Sequence, residues 1–308
     1  MGLWIDTDMG FDDIAAILVV AASGRVIDGV SLVFGNAPLD QVQKNAAGAA
    51  SAFSWRFPIH AGRASPVLGE IETAQRILGE TGIPTVGATL PASDDLPPSN
   101  AFDALCQWLA EGAREKKILA LGPLTNIAAV CLARPDLAGR ITELTWMGGG
   151  VTLGNHTASA EFNAFADPEA AAIVIAHGLP LRMVDLDFCR KVTASLADVA
   201  PIRQAGGKNA ALVADMLEGF INIAVSRGRD AMALYDPCAA VAVVDPDRVM
   251  WRPARIDIEL QGSLTRGRTV VEARLAHAER FNAHYAESVD AEYARTIILG
   301  ALVGEANR

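Results

Sequence analysis

Short apolar segments rich in β-branched residues alternate along this chain with longer segments of helical periodicity, and this alternation limits the available folds more than any other feature. The strand-like segments are residues 3–5, 30–34, 118–121, 144–147 and 181–184. The helix-like segments are residues 14–22, 39–55, 101–114, 123–133 and 168–177. A strand followed by a helix and a second strand indicates a parallel βαβ unit. We therefore predict an α/β fold with an open, mostly parallel sheet, helices on both faces and a Rossmann-like core.

The region from Arg63 to Asn100 interrupts this alternation with loop-forming residues. Its prolines stand among Gly, Ser and Asp residues and are Pro66, Pro84, Pro91, Pro97 and Pro98. Strand and helix patterns continue after the region, so we expect a loop that crosses one edge of a functional site rather than a linker between domains. A chain of 308 residues can bury about 75% of its surface, and we expect a single domain over residues 1–308.

Charge and hydropathy exclude several classes of partner. Twenty-six basic and 36 acidic side chains give a net charge of −10, which disfavours nucleic acid and anionic lipid. The longest early apolar run, residues 14–22, is far shorter than the roughly 18 residues of a membrane span. The amino terminus lacks the regions of a signal peptide, and the four cysteines lack C-x-x-C spacing. We expect a cytoplasmic protein with reduced cysteines and with neither nucleic acid nor a membrane as partner.

Four aspartates follow the first predicted strand within eight residues, at Asp6, Asp8, Asp12 and Asp13. Asp6 and Asp8 share one face of a strand, and Gly10 permits a tight turn that returns Asp12 and Asp13 to Asp8. No Lys or Arg occurs in residues 1–24 to neutralise them. A bound cation is the simplest explanation, and oxygen-only ligands favour Ca²⁺ or Mg²⁺. The alternative is an N-cap at Asp12 among ordinary surface charges.

Two known motifs share features with this cluster. Counted from Asp6, an EF-hand loop would need Gly where Phe11 stands and Glu where Ile17 stands, so that interpretation fails. The Asp-x-Asp of haloacid-dehalogenase-like phosphatases is closer, and would use Mg²⁺ and form an aspartyl-phosphate on Asp6. That mechanism also needs a phosphate-binding lysine, and the chain offers few lysines: Lys44, Lys116, Lys117, Lys191 and Lys208. We keep a Mg²⁺-dependent phosphatase as the less favoured alternative.

Further polar and glycine-rich motifs stand at or near predicted strand ends, which share one edge of an open α/β sheet. They are Val33-Phe34-Gly35-Asn36, Leu121-Gly122-Pro123-Leu124-Thr125-Asn126, Met147-Gly148-Gly149-Gly150, Gly154-Asn155, Glu161-Phe162-Asn163 and Tyr235-Asp236-Pro237-Cys238. In these motifs and their order, from Asp6 to at least residues 264–267, the chain resembles the inosine-uridine-preferring nucleoside hydrolase family.

The resemblance implies hydrolysis of the N-glycosidic bond of ribonucleosides with a tightly held Ca²⁺ and no organic cofactor. Carried over by position, the metal ligands would be the carboxylates of Asp8, Asp13 and Asp236 and the backbone carbonyl of Leu121. Asp8 would also accept a proton from the attacking water, whose acidity the cation raises. The substrate-binding residues would be Asp12, Asn36, Met147, Asn155, Glu161, Phe162 and Asn163. Family members are usually dimers or tetramers, so we expect a homodimer or homotetramer.

The family's sugar contacts fit the chemistry of the reaction. Departure of the base gives the ribose oxocarbenium character, which carboxylates and amides on the hydroxyls favour. Ribose is therefore better supported than 2-deoxyribose as the sugar. The competing interpretation of Glu161 to Asn163 is a helix-capping segment before Asp167.

The chain departs from the family where the base leaves. Many members carry a histidine directly before the last metal aspartate, where this chain has Tyr235, and a second family histidine aligns with Leu78. A phenol with a pKa near 10 is a weak acid but can donate a hydrogen bond or stack on a base. We therefore predict that Tyr235 contacts the base and is a catalytic residue, as in purine-preferring members that place an aromatic side chain there.

The remaining candidates are assigned structural roles. We expect His156 to be an exposed loop residue, and Arg227 and Arg229 to be solvated helix charges. The other histidines are also assigned to the structure, and the apolar pattern of residues 294–303 predicts a packing helix. The base preference stays open, and so do a nucleoside- or ribose-binding homologue without turnover and a hydrolase of a related N-riboside.

Overall fold

The computed structural model describes residues 2–93, 96, 99–112 and 115–308. Its strands are β1 (Gly2–Thr7), β2 (Ile27–Leu32), β3 (Ile59–Ala61), β4 (Lys116–Ala120), β5 (Ile141–Met147), β6 (Leu181–Val184), β7 (Thr193–Ala194), β8 (Met232–Ala233), β9 (Val249–Ile258), β10 (Thr269–Glu272) and β11 (Ala283–Val289). The described residues form one nine-stranded sheet in the order β10-β9-β11-β6-β5-β4-β1-β2-β3, and β7 pairs separately with β8.

The sheet is mostly parallel, which confirms the predicted fold class. Strands β3, β2, β1, β4, β5, β6 and β11 pair in parallel, whereas β9 pairs antiparallel with both β11 and β10. From β1 the chain winds outward through β2 and β3, and then returns to place β4 on the other side of β1. The carboxyl ends of β1 and β4 therefore flank a topological switch point, where ligands bind in open α/β sheets.

Helices cover the sheet, and each of the five predicted helical segments contains one. The helices are α1 (Phe11–Ala22), α2 (Leu39–Phe53), α3 (Gln75–Leu78), α4 (Ala101–Ala110), α5 (Thr125–Ala133), α6 (Pro135–Ala138), α7 (Phe162–Ala166), α8 (Pro168–Ala176), α9 (Leu186–Cys189), α10 (Val199–Arg203), α11 (Ala210–Val225), α12 (Tyr235–Val244) and α13 (Ala291–Ala306). Between Arg63 and Asn100 the described residues contain α3 as their helix, in agreement with a loop-rich region. The predictions at Pro97, Pro98 and Arg114 lie outside the described residues.

Side-chain alternation in the central strand explains the two apolar layers. Leu3 and Ile5 of β1 are buried in the cluster formed with α1, α2, α11, α12 and α13. Trp4, between them, is buried in the cluster formed with α4, α5, α6 and α8. Successive side chains of a strand point to opposite faces, so β1 is covered on both faces and its last residues are held rigidly.

Several predicted boundaries are wrong by a few residues, such as the helix predicted over 101–114, which ends at Ala110, and two of the differences have a visible local reason. The strand predicted at residues 30–34 ends at Leu32, because Val33 and Phe34 leave the ladder and pack with Ala166 instead. The helix predicted to Trp55 ends at Phe53, because Ser54 adopts a left-handed conformation with φ 56°.

The carboxyl-terminal part contains three strands that the sequence did not predict, β9 to β11, and one helix that it did predict, α13. Strands β9 to β11 mix buried with partly or fully exposed residues, including charged positions on β9 such as Arg255, and so lack the continuous apolar runs of the central strands. Helix α13 packs against α1 and α11 with Ile298 and Leu302 buried, which confirms the packing helix. The cysteines are free and buried, as expected. Among the described residues, no helix is both long and apolar enough to cross a membrane.

Candidate active site

A pocket opens at the carboxyl ends of β1, β4 and β5, beside the switch point. The structure brings together there the side chains or backbone of every predicted site residue except Asp13: Asp8, Asp12, Asn36, Leu121, Met147, Asn155, Glu161, Phe162, Asn163, Tyr235 and Asp236. Asp13 is fully buried and contacts Asp8 and Asp236. One concave surface therefore collects residues from separated segments of the chain.

The turn after β1 places the aspartates, although not in the way that the sequence indicated. Met9, rather than Gly10, adopts the left-handed conformation, with φ 46°. The Met9 N–H donates to Thr7 Oγ1 at 3.0 Å, and the Gly10 N–H donates to Asp13 Oδ2 at 2.8 Å. The turn does return Asp12 and Asp13 to Asp8. Gly10 is required for a different reason, since a Cβ there would lie 2.4 Å from Asn36 Nδ2.

Three carboxylates form a compact group. Asp12 and Asp13 lie in the first turn of α1 and Asp236 in the first turn of α12, and one oxygen of each lies within 4.8 Å of the others. Asp8 adjoins this group through its contact with Asp13. We call Asp8, Asp12, Asp13 and Asp236 together the acidic wall. The structure thus adds Asp12 to the carboxylates that could hold a cation, beside the three named from the resemblance.

Asn36 links two residues of the acidic wall, Asp8 and Asp13, through hydrogen bonds. Its backbone N–H donates to Asp8 Oδ2 at 2.7 Å. Its Nδ2 donates to Asp8 Oδ1 and to Asp13 Oδ2, both at 3.0 Å. Gly35 permits this approach, because a Cβ there would lie 2.0 Å from Asp8 Oδ2. The residues after β2 therefore orient the carboxylate of Asp8.

Burial disfavours the charged forms of all four carboxyl groups, and repulsion from neighbouring aspartates adds to this at Asp8, Asp12 and Asp236. Burial raises the pKa of Asp12 to about 7, with a further rise from Asp13. Burial and neighbouring aspartates raise the pKa of Asp8 and of Asp236 well above the usual range, and burial raises that of Asp13. Among the described residues, no Lys or Arg is one of the main influences on the pKa of these four carboxyl groups. The N-termini of α1 and α12 supply only partial positive charge, so a hard cation fits this oxygen donor set.

Asp6 is separate from the acidic wall, contrary to the prediction of one four-carboxylate cluster. It is fully buried, and its Oδ1 accepts hydrogen bonds from Ser31 Oγ and from Asn126 Nδ2 at 2.8 Å. Its Oδ2 has no hydrogen-bond partner among the described residues, and burial raises its pKa to about 7. A side chain without exposed surface cannot accept a phosphoryl group, which argues against the phosphatase alternative.

A second polar group surrounds the start of α7. Glu161 caps this helix, as the competing interpretation proposed, accepting from the N–H of Asn163 and Ala164 at 2.8 and 3.0 Å and from that of Gly149 at 2.8 Å. Burial raises its pKa to about 7. Asn163 Nδ2 donates to the carbonyls of Leu121 and Met147 at 2.7 and 2.9 Å. Glu161 lines the pocket as well as capping the helix, so the capping interpretation is confirmed and the carboxyl group also lies where a ligand could meet it.

The rest of the pocket is lined by residues that the sequence assigned elsewhere or missed. His156 was expected to be an exposed loop residue, and this is wrong because Phe165 covers its ring at 4.5 Å and the ring lines the pocket. Arg227 is exposed, as expected, but lines the pocket too, whereas Arg229 is simply exposed. Leu78 lines the pocket within the segment Glu72–Leu78.

Phe220 was missed altogether, and its ring contacts that of Tyr235 edge-on at 6.4 Å. Its signal was the apolar spacing of α11, on which Phe220 and Ile223 stand three residues apart and both line the pocket; Arg227, just after the helix, lines it as well. Glu72 and Arg76 carried no motif that could have placed them.

A polar pocket with clustered carboxylates at the switch point of a doubly wound sheet defines an α/β protein built to bind a small polar ligand. Residues 3–296 match the family model described as inosine-uridine preferring nucleoside hydrolase.

Named relatives agree with this match. The chain is 31% identical to the pyrimidine-specific ribonucleoside hydrolase RihA of Salmonella typhimurium, over 93% of both chains. It is 31% identical to the inosine-uridine preferring nucleoside hydrolase of Leishmania major, over 97% of this chain and 96% of the relative. A solved structure, the purine-preferring ribonucleoside hydrolase from Gardnerella vaginalis, superposes with a TM-score of 0.90 at 25% identity, over 100% of this chain and 99% of that one. The chain belongs to the inosine-uridine preferring nucleoside hydrolase family, and it is a hydrolase that acts on N-glycosyl compounds.

Proposed function

We propose that this protein hydrolyses the N-glycosidic bond of ribonucleosides to ribose and free base, with a Ca²⁺ in the acidic wall and Asp8 as the general base. The observation that carries the proposal is the convergence of the acidic wall and the Glu161 and Asn163 group on one pocket. Family membership supports the reaction class. The metal, the base and the residue roles are our assignments from the site.

The acidic wall fits a hard divalent cation. Its donors are carboxylate oxygens and the Leu121 carbonyl. The carboxylates lie close together with no described basic residue beside them, and a cation would reduce the repulsion between them. Asp8, Asp13, Asp236 and the Leu121 carbonyl would hold the ion, with Asp12 adjacent. When bound, the ion lowers the pKa of a water molecule. Asp8, oriented by two hydrogen bonds from Asn36, takes the proton from the attacking water.

The Glu161 group supplies the contacts for the sugar. Asn155 Oδ1 accepts from the Phe162 N–H at 2.9 Å, which leaves its amide N–H groups for a ligand. Glu161 keeps acceptor capacity beyond its three backbone donors, since a carboxylate has about four lone-pair sites. With Asp12, these groups hold ribose hydroxyls and favour the oxocarbenium-like transition state. Met147 and Phe162 complete this part of the wall.

Tyr235 is proposed to contact the base. It lines the pocket directly before Asp236 and packs edge-on against Phe220. Burial raises the pKa of its phenol above the ordinary value, so its contribution is stacking or a hydrogen bond rather than proton donation. The relatives bear names with different base preferences, pyrimidine and purine, and the preferred base of this chain is left open.

We further propose that residues 1–308 act as one cytoplasmic domain that assembles as a homodimer or homotetramer. The net charge of −10 supports a small-molecule substrate rather than nucleic acid. Light scattering of the purified protein tests the assembly, and a monomer at working concentration would contradict it.

The test of the function is release of reducing sugar from purine, pyrimidine and nicotinamide ribonucleosides, with and without a chelator. Asp8→Asn should lower ribose release about 10²- to 10⁴-fold, the range that general-base catalysis contributes. Asp136→Asn is the matched control, because Asp136 is exposed and paired with Arg134, and it should be unchanged. Nucleoside binding without any release of base would contradict the proposal and favour the binding-protein alternative.

A further inference from the structure

The bond that breaks leaves an electron pair on the base, and a neutral base leaves more easily when a nearby group donates a proton to it. The role of such a donor in this protein rests on the proposed ribonucleoside hydrolysis. The carboxylates of the acidic wall serve the water and the sugar in that proposal. The donor must therefore lie on another part of the pocket.

Apart from the carboxyl group of Glu72, four side chains with dissociable protons line the remaining surface, and chemistry eliminates three of these four. Arg76 and Arg227 are unsuitable because a guanidinium does not give up its proton in proteins. Burial raises the pKa of Tyr235 still further from neutrality. The fourth is His156, whose imidazole is the side chain best suited to proton transfer near neutral pH. Of the five histidines of the chain, all of them described, only His156 lines this pocket.

The His156 ring is held in place by its surroundings. Its Nε2 lies 3.6 Å from Glu72 Oε1. Phe165 packs against the ring at 4.5 Å between centroids and Phe162 edge-on at 5.5 Å. A carboxylate beside one ring nitrogen and two aromatic rings beside the plane fix an imidazole in a defined orientation.

The backbone of this segment is fixed as well. Arg190 donates to the carbonyls of Leu153 and Gly154 at 3.1 and 2.9 Å, and the His156 N–H donates to Ala160 O at 3.2 Å. His156 directly follows Asn155, a proposed ribose contact, and its ring touches Phe162, which directly follows Glu161. The imidazole is therefore attached to the two segments that hold the sugar.

We propose that His156 donates the proton to the departing base and that Glu72 is the positioning residue that orients it. As the C1′–N bond breaks, its electron pair moves onto the base and the proton of His156 moves to a base atom. The attacking water bonds to C1′ and gives one proton to Asp8. One water is consumed, the proton on Asp8 returns through solvent to His156, and no oxidant or reductant is needed.

Surrounding charges act on this histidine in opposite directions. Burial lowers its pKa, Arg76 lowers it further and Glu72 raises it. Glu72 and Arg76 are the charged groups that act on the ring, and α7 presents only the apolar rings of Phe162 and Phe165 to it. Glu72 therefore both orients the ring and favours its protonated form.

The test compares substrates whose leaving groups differ in their need for a proton. Uridine and inosine require one, whereas the nitrophenolate of p-nitrophenyl β-D-riboside leaves as a stable anion. In His156→Ala and His156→Gln, kcat on the nucleosides should fall about 10²-fold or more, while kcat on the nitrophenyl riboside should change less than about threefold. His177→Ala, a change of an exposed histidine at the end of α8, should leave both rates unchanged.

The other outcomes overturn the proposal in distinguishable ways. Equal losses of kcat on both substrate classes would show that His156 only supports the loop. Unchanged kcat on both classes would show that His156 neither donates the proton nor supports the loop. In these cases the wild type still releases ribose from nucleosides, so the proposed function survives. If the wild type releases no ribose from any nucleoside, the proposed function fails and this inference fails with it. Thermal unfolding of each variant identifies any loss due to misfolding.

Discussion

Two parts of the pocket are built in different ways. The acidic wall stands on the end of β1 and on the first turns of α1 and α12, and it is fixed by the buried hydrogen bonds of Asn36 and Thr7. The loop wall, which we define as residues 72–78 with His156, is partly exposed and is held by ring packing, by the ion pair of His156 with Glu72 and by backbone hydrogen bonds such as that from the Ala74 N–H to Gly35 O. The contrast teaches that the carboxylates assigned to the water lie on strand ends and helix starts together with Tyr235, whereas Glu72 and His156, which we assign to proton donation, lie in the more exposed part of the pocket.

The largest expected effect is at Asp13, the buried centre of the acidic wall. Asp13→Asn removes a charge that contacts Asp8 and Asp236, so both cation affinity and ribose release should fall, the latter about 10³-fold or more. Cation content by atomic emission and sugar release measure the two effects. Asp40→Asn is the control, because Asp40 is an exposed residue in the first turn of α2. A variant with full cation content and full activity would break the comparison.

A smaller loss is expected from Gly35→Ala. A Cβ there would meet Asp8 Oδ2 at 2.0 Å, so the carboxylate must move, and misplacing a catalytic group by about 1 Å costs about 10²-fold in rate. The control is Gly139→Ala, where the nearest atom is 3.6 Å away and the backbone is helical. If kcat for Gly35→Ala equals that of Gly139→Ala, the position of Asp8 is not as constrained as we infer.

On the loop wall, Glu72→Gln should move the pH profile without abolishing activity. Glu72 raises the pKa of His156, and proton donation is lost as pH rises through that pKa. Without the Glu72 charge the pKa is lower, so the decline of kcat/KM with rising pH should begin at lower pH. Glu70→Gln, an exposed residue of the same loop, should leave the profile in place. A profile shifted to higher pH would have the wrong sign for our account.

The smallest effect is expected at Arg227, an exposed residue that lines the pocket just after the end of α11. Exposed charges contribute at most about 1 kcal/mol, so Arg227→Ala should change kcat/KM by less than about fivefold. Measuring kcat/KM for uridine and inosine checks this. A loss as large as that of Gly35→Ala would extend the essential machinery beyond the rigid elements.

The same contrast explains what the sequence could predict. Asp8, Asp12 and Asp13 are close in the chain and follow a strand, so local spacing placed them beside one another. Asp236 and Asn163 were placed by the family resemblance, since nothing local joins them to Asp8.

The loop wall could not be predicted, because its position depends on long-range contacts. The Ala74 N–H donates to Gly35 O at 3.0 Å, and Phe165 covers His156, and neither contact leaves a periodic signal. The burial of Asp6 was missed for a related reason. Its partners Ser31 and Asn126 lie on β2 and α5, which are neighbours only in the folded sheet.

The most direct test measures the ratio of kcat/KM for uridine to that for inosine in wild type, Asp8→Asn and Tyr235→Ala. We predict that Asp8→Asn lowers both rates in parallel and keeps the ratio, because Asp8 acts on the water common to every substrate. Tyr235→Ala should change the ratio, because Tyr235 contacts the base. A ratio changed by Asp8→Asn and kept by Tyr235→Ala would contradict the division of the pocket into a part for cleavage and a part for the base.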